Sequence, residues 1–271
     1  MNLKHTLLIG LIFTLLFGFE AVGQTTYSRV RVSLENKDVQ QLAALGVDIT
    51  EGLYRKNAWL ETDLSQEVIQ RLSENNFSCE VVIPDVIQYY ADRAQNDPVK
   101  SIDRSMATDY PVPEHFELGS LAGYYTLDEV MAELDEMAAL YPNLITVKQP
   151  ISTDTLTHDG HMLYWVKISD NPNQNEDEPE MLYTGLHHAR EVISLQSLVF
   201  YMWYLLENYD SDPDIAFLVD NTELYFVPIV NPDGYEYNRV SYPGGGGMWR
   251  KNRHDNGDGT FGVDINRNYS Y

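Results

Sequence analysis

A mixed α/β fold follows from the sequence: a central sheet with flanking helices over residues 118–271, preceded by a small α+β unit over residues 24–93. Three observations predict it. Short runs with apolar residues at every second position take turns with longer runs at helical spacing, so strands and helices alternate along the chain. A hydrophobic content of 44% and an aromatic content of 12% suffice for a packed core. From Ala94 to Gly119 the composition turns to Asn, Asp, Pro, Ser and Thr without apolar periodicity. That stretch is read as a linker over 94–117, an exposed connector of the kind proteases cut.

The elements justify this reading in order. Lys4 and His5 precede an apolar run from Leu7 to Phe19, and Ala21-Val22-Gly23 offers a small-x-small cleavage pattern. Residues 1–23 are therefore expected to be a signal peptide, too short to span a bilayer comfortably. Val30, Val32 and Leu34 alternate as a strand, and Val39, Leu42, Ala43 and Leu45 form a helix that stops at Gly46. Further strands are expected at Ala58–Glu61 and Cys79–Ile83, with a helix over Ser65–Ser73 between them; the helices should cover one side of this small sheet. In the second domain Thr126 and Glu129 form a capping box, and Leu127, Val130, Met131, Leu134, Met137 and Ala138 keep a helical period up to Pro142. Met131 and Met137 belong to that core face. Strands at Met162–Ile168 and Met181–Thr184 flank the acidic loop Asn171–Glu180, expected to be solvated. A helix over Ser194–Asn208, a helical stretch over Asp214–Val219 and a strand over Glu223–Val230 complete the pattern.

Charge and cysteine content exclude several functions. With 18 Lys+Arg against 41 Asp+Glu the formal net charge is −23, which excludes a general nucleic-acid binder. Removing Lys4 and Glu20 with the signal peptide leaves that charge unchanged. Cys79 is the only cysteine, so an internal disulfide and a Cys-rich zinc site are both impossible. Cys79 reads as a small buried hydrophobe in its strand. Any metal must be held by histidine and carboxylates. After the signal peptide no stretch reaches membrane-spanning length, so a secreted or periplasmic protein is expected.

The candidate chemistry lies in the second domain. The strand ending at Thr184 runs into Gly185-Leu186-His187-His188-Ala189-Arg190-Glu191, at the carboxyl end of a strand where α/β proteins place ligands. His188 and Glu191, three apart, can bring an imidazole and a carboxylate to one side of a turn, as a zinc site requires. Alone that spacing is common. Three more stretches support it: Asn231-Pro232-Asp233-Gly234-Tyr235, read as a turn after a strand; Trp249-Arg250-Lys251-Asn252-Arg253; and Gly262-Val263-Asp264-Ile265-Asn266-Arg267-Asn268. Arg250, Lys251, Arg253 and Arg267 cluster cations in an acidic chain, suited either to an anionic substrate group or to surface carboxylates. Gly244–Gly247 reads as a flexible connector, and Asp255–Gly259 as a turn rather than a calcium loop.

Together HAREVIS at 188–194, NPDGY at 231–235, WRKNR at 249–253 and GVDINRN at 262–268 resemble the zinc metallocarboxypeptidases of the carboxypeptidase A family. The resemblance covers residues 118–271, and residues 27–93 resemble, more loosely, the family's amino-terminal pro-domain. It implies Zn2+ as cofactor with His188 and Glu191 as two ligands, and Arg250 as the catalytic residue that polarises the scissile carbonyl. It further implies that Asn266 and Arg267 hold the terminal carboxylate of a peptide or protein substrate, and that Arg190 contacts the peptide further from the cut. Val192 stands where the family often has Trp. The family's third ligand, a histidine, and its general-base glutamate lie downstream of the last motif, so the resemblance implies an amino-terminal fragment with half a catalytic domain. His187 and His254 are not expected to substitute for that ligand. The alternatives are an inactive chain, a module that binds peptide carboxylates, and a related zinc deacylase.

Overall fold

The structure is a computed structural model that describes residues 26–35, 37–96, 102 and 110–270. Residues 1–23, expected to be a signal peptide, and residues 97–101 and 103–109, half of the expected connector, lie outside the described residues.

In the amino-terminal unit, β1 (Tyr27–Ser33) and β3 (Trp59–Ser65) bury every second residue, the signature of strands with one face against a core. They pair antiparallel, with β2 (Leu53–Arg55) beyond β3 and β4 (Cys79–Ile83) beyond β1. Val30, Val32, Leu60 and Leu64 on the inner face meet Leu42 of α1 (Gln40–Ala44) and Leu72 of α2 (Gln66–Glu74). Each such side chain stabilises the unit by roughly 1.5–3 kcal/mol relative to exposure. Ser65 caps α2 by accepting from the Val68 N–H. Cys79 packs against this core, and burial raises its thiol pKa, in keeping with a hydrophobe rather than a reactive group.

The outer face of the small sheet is charged, and here the structure departs from the expectation of helices on one side. An additional helix, α3 (Val86–Asn96), runs into the expected connector, and its Tyr90 hydroxyl accepts from Arg29 of the outer face at 3.0 Å. Ile87, Ala91 and Ala94 of α3, on the flank next to Tyr90, meet the glycine-rich stretch of the second unit. A Cβ on Gly246 would stand 2.4 Å from the Ile87 carbonyl oxygen, so Gly244–Gly247 serves as a close-approach surface for α3 rather than only as a connector.

The second unit has a mixed sheet in the order β5 (Gln149–Pro150), β6 (Tyr164–Ile168), β8 (Glu223–Val227), β7 (Glu180–Thr184). β7 runs parallel to β8, and the other pairs are antiparallel. Helix α4 (Leu127–Leu140) starts at the capping box, with both reciprocal bonds between Thr126 and Glu129 formed. Its Val130, Leu134 and Met137 share one core with Val199 and Trp203 of α5 (Ile193–Asn208) and with Val166, Leu224 and Phe226 of the sheet. Met131 packs at the border of that core. Helix α6 (Pro213–Val219) is capped by Asp212.

Two further expectations are corrected. Asn231–Tyr235 is not a free turn: Asn231 accepts from the Gly234 N–H and opens α7 (Pro232–Ser241), with Pro232 in the first turn where its missing N–H costs nothing. The acidic loop 171–180 is not wholly solvated. Lys167 and Glu223 form a buried ion pair at 2.7 Å, and the loop folds over it, the Gln174 carbonyl accepting from Lys167 and the Glu176 N–H donating to Glu223.

Candidate active site

The site starts where β7 ends. Leu186, fully buried, has a left-handed φ of +54°, a conformation that costs a branched residue roughly 1–3 kcal/mol unless its surroundings enforce it. They do: the Leu186 N–H donates to Ser194 Oγ at 2.9 Å, Ser194 Oγ donates to the Glu191 carbonyl at 2.8 Å, and the Asn231 N–H donates to the Leu186 carbonyl at 3.1 Å. This bend turns the chain across the sheet end and closes a tight turn, with the Glu191 N–H donating to the His188 carbonyl. His188 and Glu191 thereby face each other.

His188 is 5% exposed, and both of its ring nitrogens meet carboxylates. Nδ1 lies 2.8 Å from Glu191 Oε1, and Nε2 lies 3.1 Å from Asp264 Oδ1. Burial works to lower the His188 pKa, but Glu191 and Asp264 outweigh it and hold the pKa above the usual imidazole value. Burial would raise Asp264, yet Arg250 and His188 hold it below the carboxylate range. A carboxylate that fixes the outer nitrogen of an imidazole orients the other nitrogen toward a metal. Nδ1 is that other nitrogen, and a metal would replace its proton.

Asn231 holds the motif segments in register. Only 1% exposed, it donates through Nδ2 to the His187 and Lys251 carbonyls, each at 3.1 Å, while the Ala189 N–H donates to the Arg250 carbonyl. Arg250 is thus carried beside His188, its Nη1 lying 3.2 Å from Glu191 Oε1 and its Nε 3.2 Å from Asp264 Oδ2.

The remaining partners come from the amino-terminal unit. Arg250 Nη2 pairs with Asp48 at 2.7 Å, and Arg250 Nη1 pairs with Glu51. Arg190 also pairs with Glu51, and Arg267 Nη2 lies 3.3 Å from Asp48 Oδ2 and 3.0 Å from Thr50 Oγ1. Burial raises the Asp48 pKa, but hydrogen bonds from Thr50 and the charges of Arg250 and Arg267 lower it further, below the usual range. A cleft of about 930 Å³ runs between the units beside Arg190, Glu191, Glu51 and Gly52. A separate cavity of about 500 Å³, lined by Asp128, His161, Glu236 and Arg239 among others, includes none of the predicted site residues.

Of the predicted residues, the structure brings together His188, Glu191, Arg190 and Arg250, with Arg267 joined to them through Asp48. Asn266 is exposed; its N–H donates to Asp264, and among the described residues its side chain has no partner in the cluster. The cationic cluster divides, because Arg253 stacks on Tyr237 at 3.9 Å and on Trp249 at 4.5 Å instead of facing the site. His187 turns away to the Tyr269 hydroxyl, and Asp255 accepts from the Gly257 N–H in a simple turn. Sequence reasoning missed the roles of Asp264, Asp48 and Glu51. Asp264 lay inside a quoted motif, whereas Asp48 and Glu51 carried no local signal beyond an acidic loop between two glycines.

The donor set fits zinc. His188 Nδ1 and one oxygen each from Glu191 and Glu51 all lie within 4.8 Å of one another, the nitrogen-and-carboxylate chemistry zinc accepts.

Comparison with known proteins agrees with this chemistry. Residues 130–271 match the zinc carboxypeptidase family, Peptidase_M14. A zinc carboxypeptidase of Saccharothrix mutabilis subsp. capreolus is 36% identical over 149 residues, covering 55% of this chain and 33% of that protein. A Schizosaccharomyces pombe protein named inactive metallocarboxypeptidase ecm14 is 31% identical over 154 residues, covering 55% of this chain and 29% of its own length. The chain therefore spans about a third of the length of these relatives. The crystal structure of carboxypeptidase A from Helicoverpa armigera superposes with a TM-score of 0.65 at 19% identity, over 91% of this chain and 58% of that one, a likeness of fold.

Proposed function

The chain belongs to the zinc carboxypeptidase family, and from that premise we propose that the protein removes carboxy-terminal residues from peptides and proteins, with its amino-terminal unit closing the site until it is released. The observation that carries the reading is the His188 imidazole, held by Asp264 on one nitrogen and facing Glu191 with the other, beside the Arg250 guanidinium.

In this reading His188 Nδ1 and the Glu191 carboxylate bind the zinc ion, and Asp264 keeps the imidazole in the required tautomer. Zinc supplies a Lewis acid that polarises the scissile carbonyl and a water nucleophile effective at neutral pH. Arg250 stabilises the charge that develops on the carbonyl oxygen, a role worth about 3 kcal/mol of barrier when the donor is preorganised. Arg267, with Asn266, receives the substrate's terminal carboxylate, for which a guanidinium offers paired hydrogen bonds. Arg190 contacts the peptide further from the cut.

Asp48 and Glu51 occupy the same arginines, so a substrate carboxylate must displace them. That supports residues 24–93 as a pro-domain and 94–117 as the segment where it is severed. The leading residues 1–23 support export, to the periplasm or outside the cell; among the described residues no helix is long and apolar enough to cross a membrane.

The test is hydrolysis of N-blocked dipeptides by the processed form of the complete protein, with the downstream ligand and base present. Substrates with a free carboxylate should be cleaved and their carboxy-amides resisted, and His188→Ala should abolish both activity and zinc binding. Equal turnover of the amides would remove the carboxylate-binding role from Arg267. Preferred turnover of acylated amino acids would move the protein to the zinc deacylases.

A further inference from the structure

We propose that Glu51 is itself a metal ligand, so that the amino-terminal unit closes the site by coordinating the zinc and not only by pairing with arginines. The inference rests on the reading of His188 and Glu191 as zinc ligands and adds a donor from the other unit.

The loop that carries Glu51 has a determined shape. Gly46 and Gly52 bound it with φ of +88° and +91°, and a Cβ on Gly52 would stand 2.2 Å from the Glu61 carbonyl oxygen. Between them Asp48 Oδ1 accepts from the Thr50 N–H at 2.9 Å, a turn that aims the next side chain out of the unit. Glu51 then reaches across to the second unit, its Oε1 lying 3.9 Å from His188 Nδ1.

Distances match coordination. Ligand atoms about 2.0–2.2 Å from a tetrahedral zinc lie about 3.4 Å from one another. His188 Nδ1 stands 2.8 Å from Glu191 Oε1 and 3.9 Å from Glu51 Oε1, and these bracket that edge.

Charge points the same way. Two carboxylates share one space in front of Nδ1, and the cation between them is Arg250, whose Nη1 contacts both Glu51 and Glu191. Arg250 thus occupies the bridging position that a divalent ion fills with twice the charge. It can yield that position without being stranded, since its Nη2 and Nε stay paired with Asp48 and Asp264.

The consequence is regulatory. A catalytic zinc keeps one position open for water, and a carboxylate in that position converts it to a closed site. Closure and metal binding then strengthen each other by the same factor.

Zinc affinity of the full chain, measured by competition with a chromogenic chelator, tests this together with the rate at which a protease cuts the 94–117 connector with and without zinc. Glu51→Gln should weaken zinc by at least about tenfold, in the range seen when groups supporting a metal are removed. Asp48→Asn, which loses arginine partners but no metal donor, should lose less zinc affinity than Glu51→Gln does. Zinc should slow connector cleavage in the wild type and not in Glu51→Gln. Glu51→Asp, which keeps a carboxylate, should recover part of the affinity and so separates ligation from misfolding. Wild-type zinc affinity in Glu51→Gln, with connector cleavage indifferent to zinc, overturns the proposal while loss of zinc in His188→Ala leaves the underlying site standing. Stoichiometric zinc in His188→Ala overturns both.

Discussion

Arginine–carboxylate pairs occur in two regions of this molecule and do different things there. On the outer face of the small sheet, Arg29 and Asp63 stand opposite each other on β1 and β3, as do Arg31 and Glu61, and each pair closes within its own unit. At the end of the large sheet, Arg190, Arg250 and Arg267 find Asp48 and Glu51 from the other unit. Cross-strand pairs follow from register and add little beyond it. Pairs that cross between units can be exchanged for a ligand of the same charge, so they can gate a site. Who supplies the partner, rather than how many pairs exist, separates pairs internal to one unit from pairs that join the two units.

The sharpest contrast is a pair that is neither exposed nor exchangeable. Glu223→Ala should destabilise the second unit by roughly 3–5 kcal/mol in denaturant unfolding, because Lys167 would keep a buried charge without its partner. A cost below that of an exposed pair would break the ranking by burial. Asp264→Ala should weaken zinc by roughly 10–100-fold with modest loss of stability, since it supports the His188 ring from behind. Unchanged affinity would reduce Asp264 to a partner of Arg250.

Across the junction, Asp48→Asn should speed connector cleavage about tenfold, equivalent to one charge-assisted hydrogen bond of roughly 1.5 kcal/mol. Acid should do likewise. Asp48 has a pKa below its ordinary value in the closed state, so its contribution is complete at neutral pH and is lost as pH falls through that lowered pKa. Cleavage that is independent of pH down to the carboxylate range would show that Asp48 does not hold the junction. The smallest effect belongs to the outer face, where Arg31→Ala, whose partners Glu61 and Glu80 lie in the same sheet, should leave connector cleavage unchanged.

Legibility in the sequence tracked the distance over which each signal acts. The capping box at Thr126 and Glu129 and the alternation of Val30 and Val32 are local, and α4 and β1 formed as those patterns require. β2 has three exposed residues and β5 only two, too short for any period to register. α3 mixes apolar and polar residues, and what it docks on, Gly244–Gly247, lies far along the chain. Asn231 read as a turn residue because helix caps and turns use the same side-chain chemistry. The same rule divides the site. His188, Glu191 and Arg250 stood out because compact motifs carry them, while Asp48 and Glu51 are two among 41 acidic residues until folding sets them against arginines from the other unit.

The central claim, a carboxypeptidase site closed by its own amino-terminal unit, meets its most direct test in one progress curve. Hydrolysis of an N-blocked dipeptide with a free carboxylate is followed while a protease cuts the 94–117 connector of the complete, zinc-loaded protein that carries the downstream ligand and base. The account predicts negligible hydrolysis before cleavage and a rise in step with release of the amino-terminal unit. Equal hydrolysis before and after release would contradict it.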